Sequence, residues 1–310
     1  MRVVITGGLG HIGSRLLEFL GQKGYFTDII IVDNLLTERY ISLFNLPINT
    51  KFHLIRKDVR ELAAIDFQKF GPIELIIHLA ALTNPAKLQN QKDEVLSNNL
   101  EATNNIVRIS NSLNSKLIFT SSTNVYSSMV GIVSEATQLQ TTNTTYSEVK
   151  LLEEDFIRNE TINGYAILRL GTISGISPGM RFHTAVNKFC YDSIMGAKIN
   201  VWNGAQELSR PYLSLDDLCN SIEHIYTLDL FDRNIYNIVT NHLSISEICT
   251  IISSHLITDI EINIIDSPYE PEKNFQVDTT KISNTNLRVI GDVSRDIQKT
   301  LELFRGFYVG

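Results

Sequence analysis

The chain has 310 residues, of which 43% are hydrophobic and 20% charged, and a formal net charge of −7. This is the composition of a soluble globular protein with one large domain or two modest ones. The acidic balance argues against non-specific nucleic-acid binding, no apolar run approaches the roughly 18 residues of a membrane helix, and "MRVVITGG" has no apolar leader segment.

In chain order, "RVVIT" (2–6) reads as a strand. It is followed by Gly7, Gly10 and Gly13, the last two flanking the start of a helical pattern over 11–22. Glycines there allow a tight turn and close approach of backbone to a pyrophosphate, with the free N–H groups of a helix N-terminus supplying partial positive charge. The spacing is G-x-x-G-x-x-G. The alternative is a flexible turn, but the strand–turn–helix context favours a dinucleotide.

The next strand, 28–32, ends at Asp33, 20 residues beyond Gly13. A carboxylate there can accept hydrogen bonds from the adenosine ribose and would repel a 2′-phosphate. Residues 34–36 are Asn, Leu and Leu, with no basic side chain, so NAD is expected over NADP. Strands at 52–55 and 74–79, a helix over 94–112, a strand at 116–120, a helix over 146–160 and a strand at 165–170 follow. Asp58, just after the third strand, fits either a cofactor contact or a helix cap. The strands are nearly continuous in apolar residues and alternate with helices, which predicts an α/β fold: a Rossmann-type doubly wound parallel sheet. Ligands collect at the carboxyl ends of such strands, where Ser121 and Ser122 lie.

After residue 171 the rhythm loosens through "GTISGISPGMRF", with a helix near 182–196 and a strand near 198–202. The expected division is a cofactor domain, 1–170, and a smaller C-terminal α/β substrate domain, 171–310, from which late elements can return to the first sheet. Cys190, Cys219 and Cys249 are an odd, widely spaced set with no CxxC pair. That predicts reduced thiols in a cytoplasmic protein and no metal site.

"TTNTTYSEVKLLEED" places Tyr146 four residues before Lys150, one turn apart on a helix face. An ammonium there favours the phenolate, which makes the tyrosine a usable acid and base near neutrality. The spacing recurs at Tyr269 and Lys273, but Pro268 and Pro271 make a regular helix improbable there. Only the first pair is expected to be chemical.

"TGGLGHIG", "SSTNVY", "YSEVK", "HLAAL", "NNLEAT" and "RPYLSLDDL" together resemble the extended short-chain dehydrogenase/reductase family, in its nucleotide-sugar epimerase and dehydratase branch. The resemblance covers nearly the whole chain. It implies NAD as cofactor, a nucleotide sugar as substrate, and a homodimer with neither nucleic-acid nor membrane partner. Ser122, Tyr146 and Lys150 would be catalytic. Tyr146 would move a sugar hydroxyl proton, Ser122 would bond the same oxygen, and Lys150 would hold the nicotinamide ribose. Gly7, Gly10, His11, Ile12 and Gly13 map to the pyrophosphate loop. Asp33 and Asn34 map to the adenosine ribose, and Asp58 and Val59 to the adenine. Leu79, Ala80, Ala81 and Asn99 map to the cofactor cleft, and Asn187 and Arg210 to the nucleotide sugar.

The 4,6-dehydratases of this family usually carry an Asp-Glu pair after the serine or threonine. Here the positions are Thr123 and Asn124, expected to meet substrate without supporting elimination. His183 does not match the position of an acid–base histidine in the 3,5-epimerases and reads as a surface or pocket residue. Thr172 replaces an asparagine common in 4-epimerases, and a second phosphate-binding arginine is replaced by Lys273 or Asn274. "SPGMRF" resembles a branch that includes nucleotide-heptose 4-dehydrogenases. The leading expectation is therefore epimerisation at C4 through a transient 4-keto sugar. The alternatives are a 4-dehydrogenase or reductase, for example on a GDP-heptose, that releases the keto sugar, and a non-catalytic NAD-binding sensor.

Overall fold

The computed structural model describes residues 1–83, 92–139, 144–256, 260–266 and 273–306. Its centre is a seven-stranded parallel sheet. The first four strands are β1 (Arg2–Thr6), β2 (Asp28–Asp33), β3 (Lys51–Arg56) and β4 (Leu75–His78), followed by β5 (Lys116–Ser122). A short strand β6 (Gly131–Val133) precedes β7 (Tyr165–Leu170). The next strands are β8 (Thr172–Ser174), β9 (Ile199–Trp202), β10 (Arg210–Ser214) and β11 (Asn234–Ile238). The sheet order is β11-β7-β5-β4-β1-β2-β3. The direction of winding reverses between β1 and β4, which opens a crevice at their carboxyl ends.

The apolar runs explain this layout. All of β4 and β7 is buried, and the inner residues of β1 and β2 are too. Strands covered on both faces need no polar alternation. At the sheet edge, β3 has only exposed and half-buried residues, because one side has no neighbour.

One face is covered by α1 (His11–Lys23), through Leu16, Leu17 and Leu20. The other is covered by α2 (Lys92–Leu113) and α3 (Thr145–Glu160), through Ile106, Ile109 and Ile157. Beyond α4 (Ala185–Ile194), helix α5 (Leu215–Thr227) packs beside α1 on the first face through Leu218, Ile222 and Ile225. Arg15 of α1 holds Asp216 of α5 at 2.9 Å. Elements after residue 171 thus return to the central sheet, both in α5 and in β11.

The remaining chain forms its own core. Val186, Phe189 and Cys190 of α4 pack with Ile248 and Ile252 of α6 (Ile245–His255). The cluster also takes Val293 and Ile297, from a late helix over Val293–Glu302. The three cysteines are buried and unpaired, and burial raises each thiol, which leaves it un-ionised and inert. Among the described residues no helix is long and apolar enough to cross a membrane, and no cluster of His, Cys, Asp or Glu could hold a metal ion.

Candidate active site

The glycine loop joins β1 to α1 at the crevice. Gly7 has φ +63°, and a Cβ there would stand 2.8 Å from the Ala80 backbone. A Cβ on Gly13 would fall 2.6 Å from Gly7 O. Both contacts forbid a side chain, so the loop lies flat against the end of β4. Gly10 is the N-cap residue and has no side chain to occupy the free N–H groups.

Asp33 has two tasks. Its Oδ2 accepts from Leu9 N at 3.1 Å and its Oδ1 from Leu35 N at 2.9 Å, so the carboxylate also braces the glycine loop. Asn34 donates to Asp58, whose carboxylate caps the turn at Arg60 N and pairs with the Arg60 guanidinium. That pairing holds Asp58 below the usual carboxylate range. Of the two roles open for Asp58 in the sequence, the structure displays the cap. Val59 is buried beside it, its carbonyl held by Asn105.

At the end of β4, Leu79, Ala80 and Ala81 are half-buried, and the first two donate backbone N–H groups to Thr6 Oγ1. Asn99 is fully buried and clamps both the N–H and the carbonyl of Leu82. It shapes the cleft wall from behind and does not line it.

Tyr146 sits in the first turn of α3, which Thr144 caps by accepting from Ser147 N. The Ser147 hydroxyl donates to Asn124 O, tying this turn to the serine loop. Lys150 is almost fully buried. Its Nζ donates to Thr120 O at 3.2 Å, lies 4.6 Å from the centre of the Phe119 ring and stands 6.0 Å from the centre of the Tyr146 ring. Burial would lower the Lys150 pKa, but Glu153 at 3.0 Å outweighs it and the net shift is upward, so the ammonium persists.

Ser122 is half-buried at the end of β5, where its Oγ accepts from Asn124 N. Thr123 is a correction to the sequence reading. It is 1% exposed and its hydroxyl donates inward to Leu170 O, so its side chain does not face a substrate. Asn124 is exposed at the loop tip.

Asn187 is fully buried in α4 and donates to Arg181 O, while its Oδ1 has no partner. As placed, it supports the Arg181 segment from beneath. Arg210, at the start of β10, donates to Ser209 O and Lys273 O and stacks 5.7 Å from the Phe275 ring. His183 is exposed between Arg181 and α4. Tyr269 lies outside the described residues.

The sequence reading missed how "SPGMRF" is used. A Cβ on Gly179 would fall 2.4 Å from Leu9 O, so this segment lies directly on the glycine loop. Gly179 N donates to Ser14 Oγ, Ser177 Oγ to His11 O, and Arg39 to Gly179 O. His11 bonds Gly175 O at 2.9 Å, so its ring fastens the two walls together. Arg39 lies just past Asn34, Leu35 and Leu36 in sequence. Arg181 donates to Thr83 Oγ1, and its buried Nε has no partner. Its pKa is pushed down to about 10, first by burial and then by Arg39, with Tyr146 opposing. Arg39 and Arg181 thus act on one another, and Tyr146 acts on Arg181.

The arrangement fits NAD. The start of α1 has no side-chain cap, Arg39 is bonded to the segment on the glycine loop, and Asp33 ends β2 with its carboxylate on Leu9 N. A model of the NAD-dependent epimerase/dehydratase family matches residues 3–238. The chain belongs to that family.

Residues of this chain are 30% identical over 126 positions to UDP-glucuronic acid decarboxylase 1 of Arabidopsis thaliana, covering 41% of this chain and 27% of that protein. The match to UDP-glucuronic acid decarboxylase 1 of Xenopus tropicalis is 24% over 230 positions, 71% of this chain and 52% of the relative. Matches to the curated relatives thus span about a quarter to a half of their length. Among solved structures, UDP-glucuronic acid 4-epimerase from Bacillus cereus, in complex with UDP-glucuronic acid and NAD, superposes with a TM-score of 0.84 at 21% identity, over 99% of this chain and 100% of that one. A dTDP-glucose 4,6-dehydratase from Streptomyces venezuelae, with NAD bound, gives 0.86 at 19%, over 99% and 98%.

Two outcomes follow from the cofactor half of the cleft. NAD should bind more tightly than NADP, and Asp33→Ser should narrow the gap while weakening NAD itself, because the brace on Leu9 N is lost. Titrating both nucleotides by fluorescence checks this, and tighter NADP binding by the unmodified protein would refute it. The second concerns acid. Burial pushes His11 down to about 4 and His78 to about 3, so both stay neutral in the fold. Between their ordinary value near 6.5 and these values, the unfolded chain binds more protons than the folded one. Stability therefore falls as pH drops through that window, by at most about 8 kcal/mol for the two together. Denaturant midpoints from pH 7 to 4 should show the slope, reduced in His11→Gln.

Proposed function

We propose that this chain is an NAD-dependent epimerase that inverts C4 of a nucleotide hexuronic acid. One observation carries the substrate class: Arg181, fixed by its bond to Thr83 Oγ1, keeps a buried Nε without a partner and has no carboxylate of the described residues paired to it. A half-buried guanidinium beside the proton-transfer group is an open position for a carboxylate on the reacting sugar. UDP-glucuronic acid, the sugar nucleotide named with several relatives, carries that group next to C4.

In this reading, NAD held by the glycine loop and Asp33 would supply reversible hydride transfer at C4. Tyr146, as phenolate, accepts the C4 hydroxyl proton and later returns it. Ser122 bonds the same oxygen. Lys150 holds positive charge beneath the phenol and reaches the nicotinamide ribose. Arg210 takes the nucleotide diphosphate, and Arg181, propped by Asn187, takes the carboxylate. Thr123 is turned inward and Asn124 is not an acid, so the loop after Ser122 supplies no second acid–base group for elimination.

UDP-glucuronic acid deuterated at C4 tests the proposal. Epimerisation keeps both mass and label in a galacturonic product. Loss of carbon dioxide, or label stranded on the nicotinamide with a released keto sugar, would replace it with decarboxylation or net oxidation. Tight NAD binding with no turnover of any nucleotide sugar would favour a sensor.

A further inference from the structure

Beneath the catalytic helix a buried file of polar groups runs from β1 to Lys150. Thr6 Oγ1 stands 2.7 Å from His78 Nδ1, and His78 Nε2 is 3.3 Å from Thr103 Oγ1. Thr103 Oγ1 donates to Glu153 Oε1 at 2.6 Å, and Glu153 Oε2 pairs with Lys150 Nζ at 3.0 Å. Hydrogen-bond accounting fixes the direction. The single Thr103 proton goes to the carboxylate, so His78 must donate to Thr103 from Nε2. Its Nδ1 is then a bare acceptor, and Thr6 must donate to it. Thr6 can do so because its oxygen already accepts from Leu79 N and Ala80 N. Every member points the same way and the file ends on an ionised carboxylate.

Glu153 is 1% exposed. Such a carboxylate is costly to bury unless it is paired and hydrogen-bonded. The other charges here are accounted for. Glu154, next along α3, is held by two bonds from Arg169 of β7 and one from Ser121 of β5. His78 of β4 is neutral, and β5 offers Lys150 only a carbonyl and the Phe119 ring. Arg181 faces Tyr146 from the segment before α4. Lys150 is the sole cation paired with Glu153 among the described residues, and Glu153 the sole carboxylate within ion-pair distance of Lys150.

We propose that Glu153 is a positioning residue that holds the Lys150 ammonium in place and, by countering its charge, sets the pH at which Tyr146 becomes a phenolate. This rests on Tyr146 and Lys150 being the proton-transfer pair of the proposed function. Removing the carboxylate lowers the ionisation pH of both groups, and Tyr146 feels the gain as long as Lys150 keeps its proton. The uncompensated ammonium favours the phenolate more strongly, and the ammonium itself, buried without a partner, is lost at lower pH.

The test reads the phenol directly and needs no substrate. Phenolate absorbance is titrated in the NAD-loaded protein, and the difference from Tyr146→Phe isolates Tyr146. The same pair is measured in a Glu153→Gln background. Glu153→Gln should move Tyr146 ionisation down by about one pH unit or more, within the range of about 1–3 units typical of a close charge. Glu153→Asp should restore most of the shift. Thr103→Val keeps the carboxylate but removes its hydrogen bond, which concentrates charge on Lys150, so ionisation should move the opposite way. If Glu153→Gln does not fold, the Thr103→Val titration decides by whether it moves at all. A lowered Tm with Tyr146 ionising at the wild-type pH would make Glu153 structural only and overturn the proposal. If no nucleotide sugar is turned over, the function fails while this titration still stands or falls by itself.

Discussion

Tyr146→Phe should lower turnover of the nucleotide sugar by about 10²–10⁴-fold, the usual contribution of a positioned general acid or base. The phenol hydroxyl is all that is removed. The ring remains in the first turn of α3, where the Thr144 cap and the Ser147 bond to Asn124 O do not depend on it. NAD affinity and Tm should therefore stay close to wild type, and isothermal titration against NAD distinguishes a chemical defect from a folding one. Tyr269→Phe is the control, because it removes a phenol from the other Tyr-x-x-x-Lys match. Equal turnover by wild type and Tyr146→Phe would remove Tyr146 from the mechanism. Lys150→Ala is a poorer probe. It strands Glu153 as a buried, unpaired carboxylate, and breaking such a pair costs about 3–5 kcal/mol of stability.

The second large effect is expected at Arg181. Its guanidinium is held by Thr83 and propped by the Asn187 bond to its own carbonyl, so its place does not depend on a ligand. If it meets a sugar carboxylate, Arg181→Ala should lower kcat/KM for UDP-glucuronic acid by roughly tenfold to a hundredfold, the worth of a charge-assisted contact of about 1.5–3 kcal/mol. The effect should be selective. A nucleotide sugar with a hydroxymethyl group in place of the carboxylate should lose far less, so the ratio of the two specificity constants should collapse. Arg181→Lys should recover little, since an ammonium lacks the planar fork. An equal loss on both substrates would mean that Arg181 only holds the wall of the cleft.

Helix α3 shows how far reading by residue pattern can go. A binary reading of "YSEVKLLEEDFIRNE" would bury its leucines and expose its charges. The structure leaves Leu152 46% exposed and buries Lys150, Glu153 and Glu154. Hydrophobicity sets a helix face only where no charge has a partner inside. Here Arg169 comes from β7 and Thr103 from α2, neither of them near in sequence. Their presence makes burial of the carboxylates tolerable, and it cannot be seen from α3 itself.

What the sequence determined by itself was local in origin. The parallel sheet is legible because strands covered on both faces must be apolar throughout, as in "IIIV" and "LIIH". The cradle is legible because only glycine can stand 2.8 Å or less from another backbone, as Gly7 and Gly13 do. The Tyr146–Lys150 pair is legible because one helical turn brings residues four apart to one face. The rest was decided by residues that tertiary structure brings together. Thr123 turned away from the cleft because Leu170 O lies behind it. Arg181 came near Tyr146, 35 positions away in sequence, because the Gly179 segment is pressed onto the glycine loop, where a hydrogen bond from its own N–H to Ser14 Oγ and a carbonyl contact too close for any Cβ hold it. Distances of that kind depend on how layers pack, and no spacing along the chain encodes them.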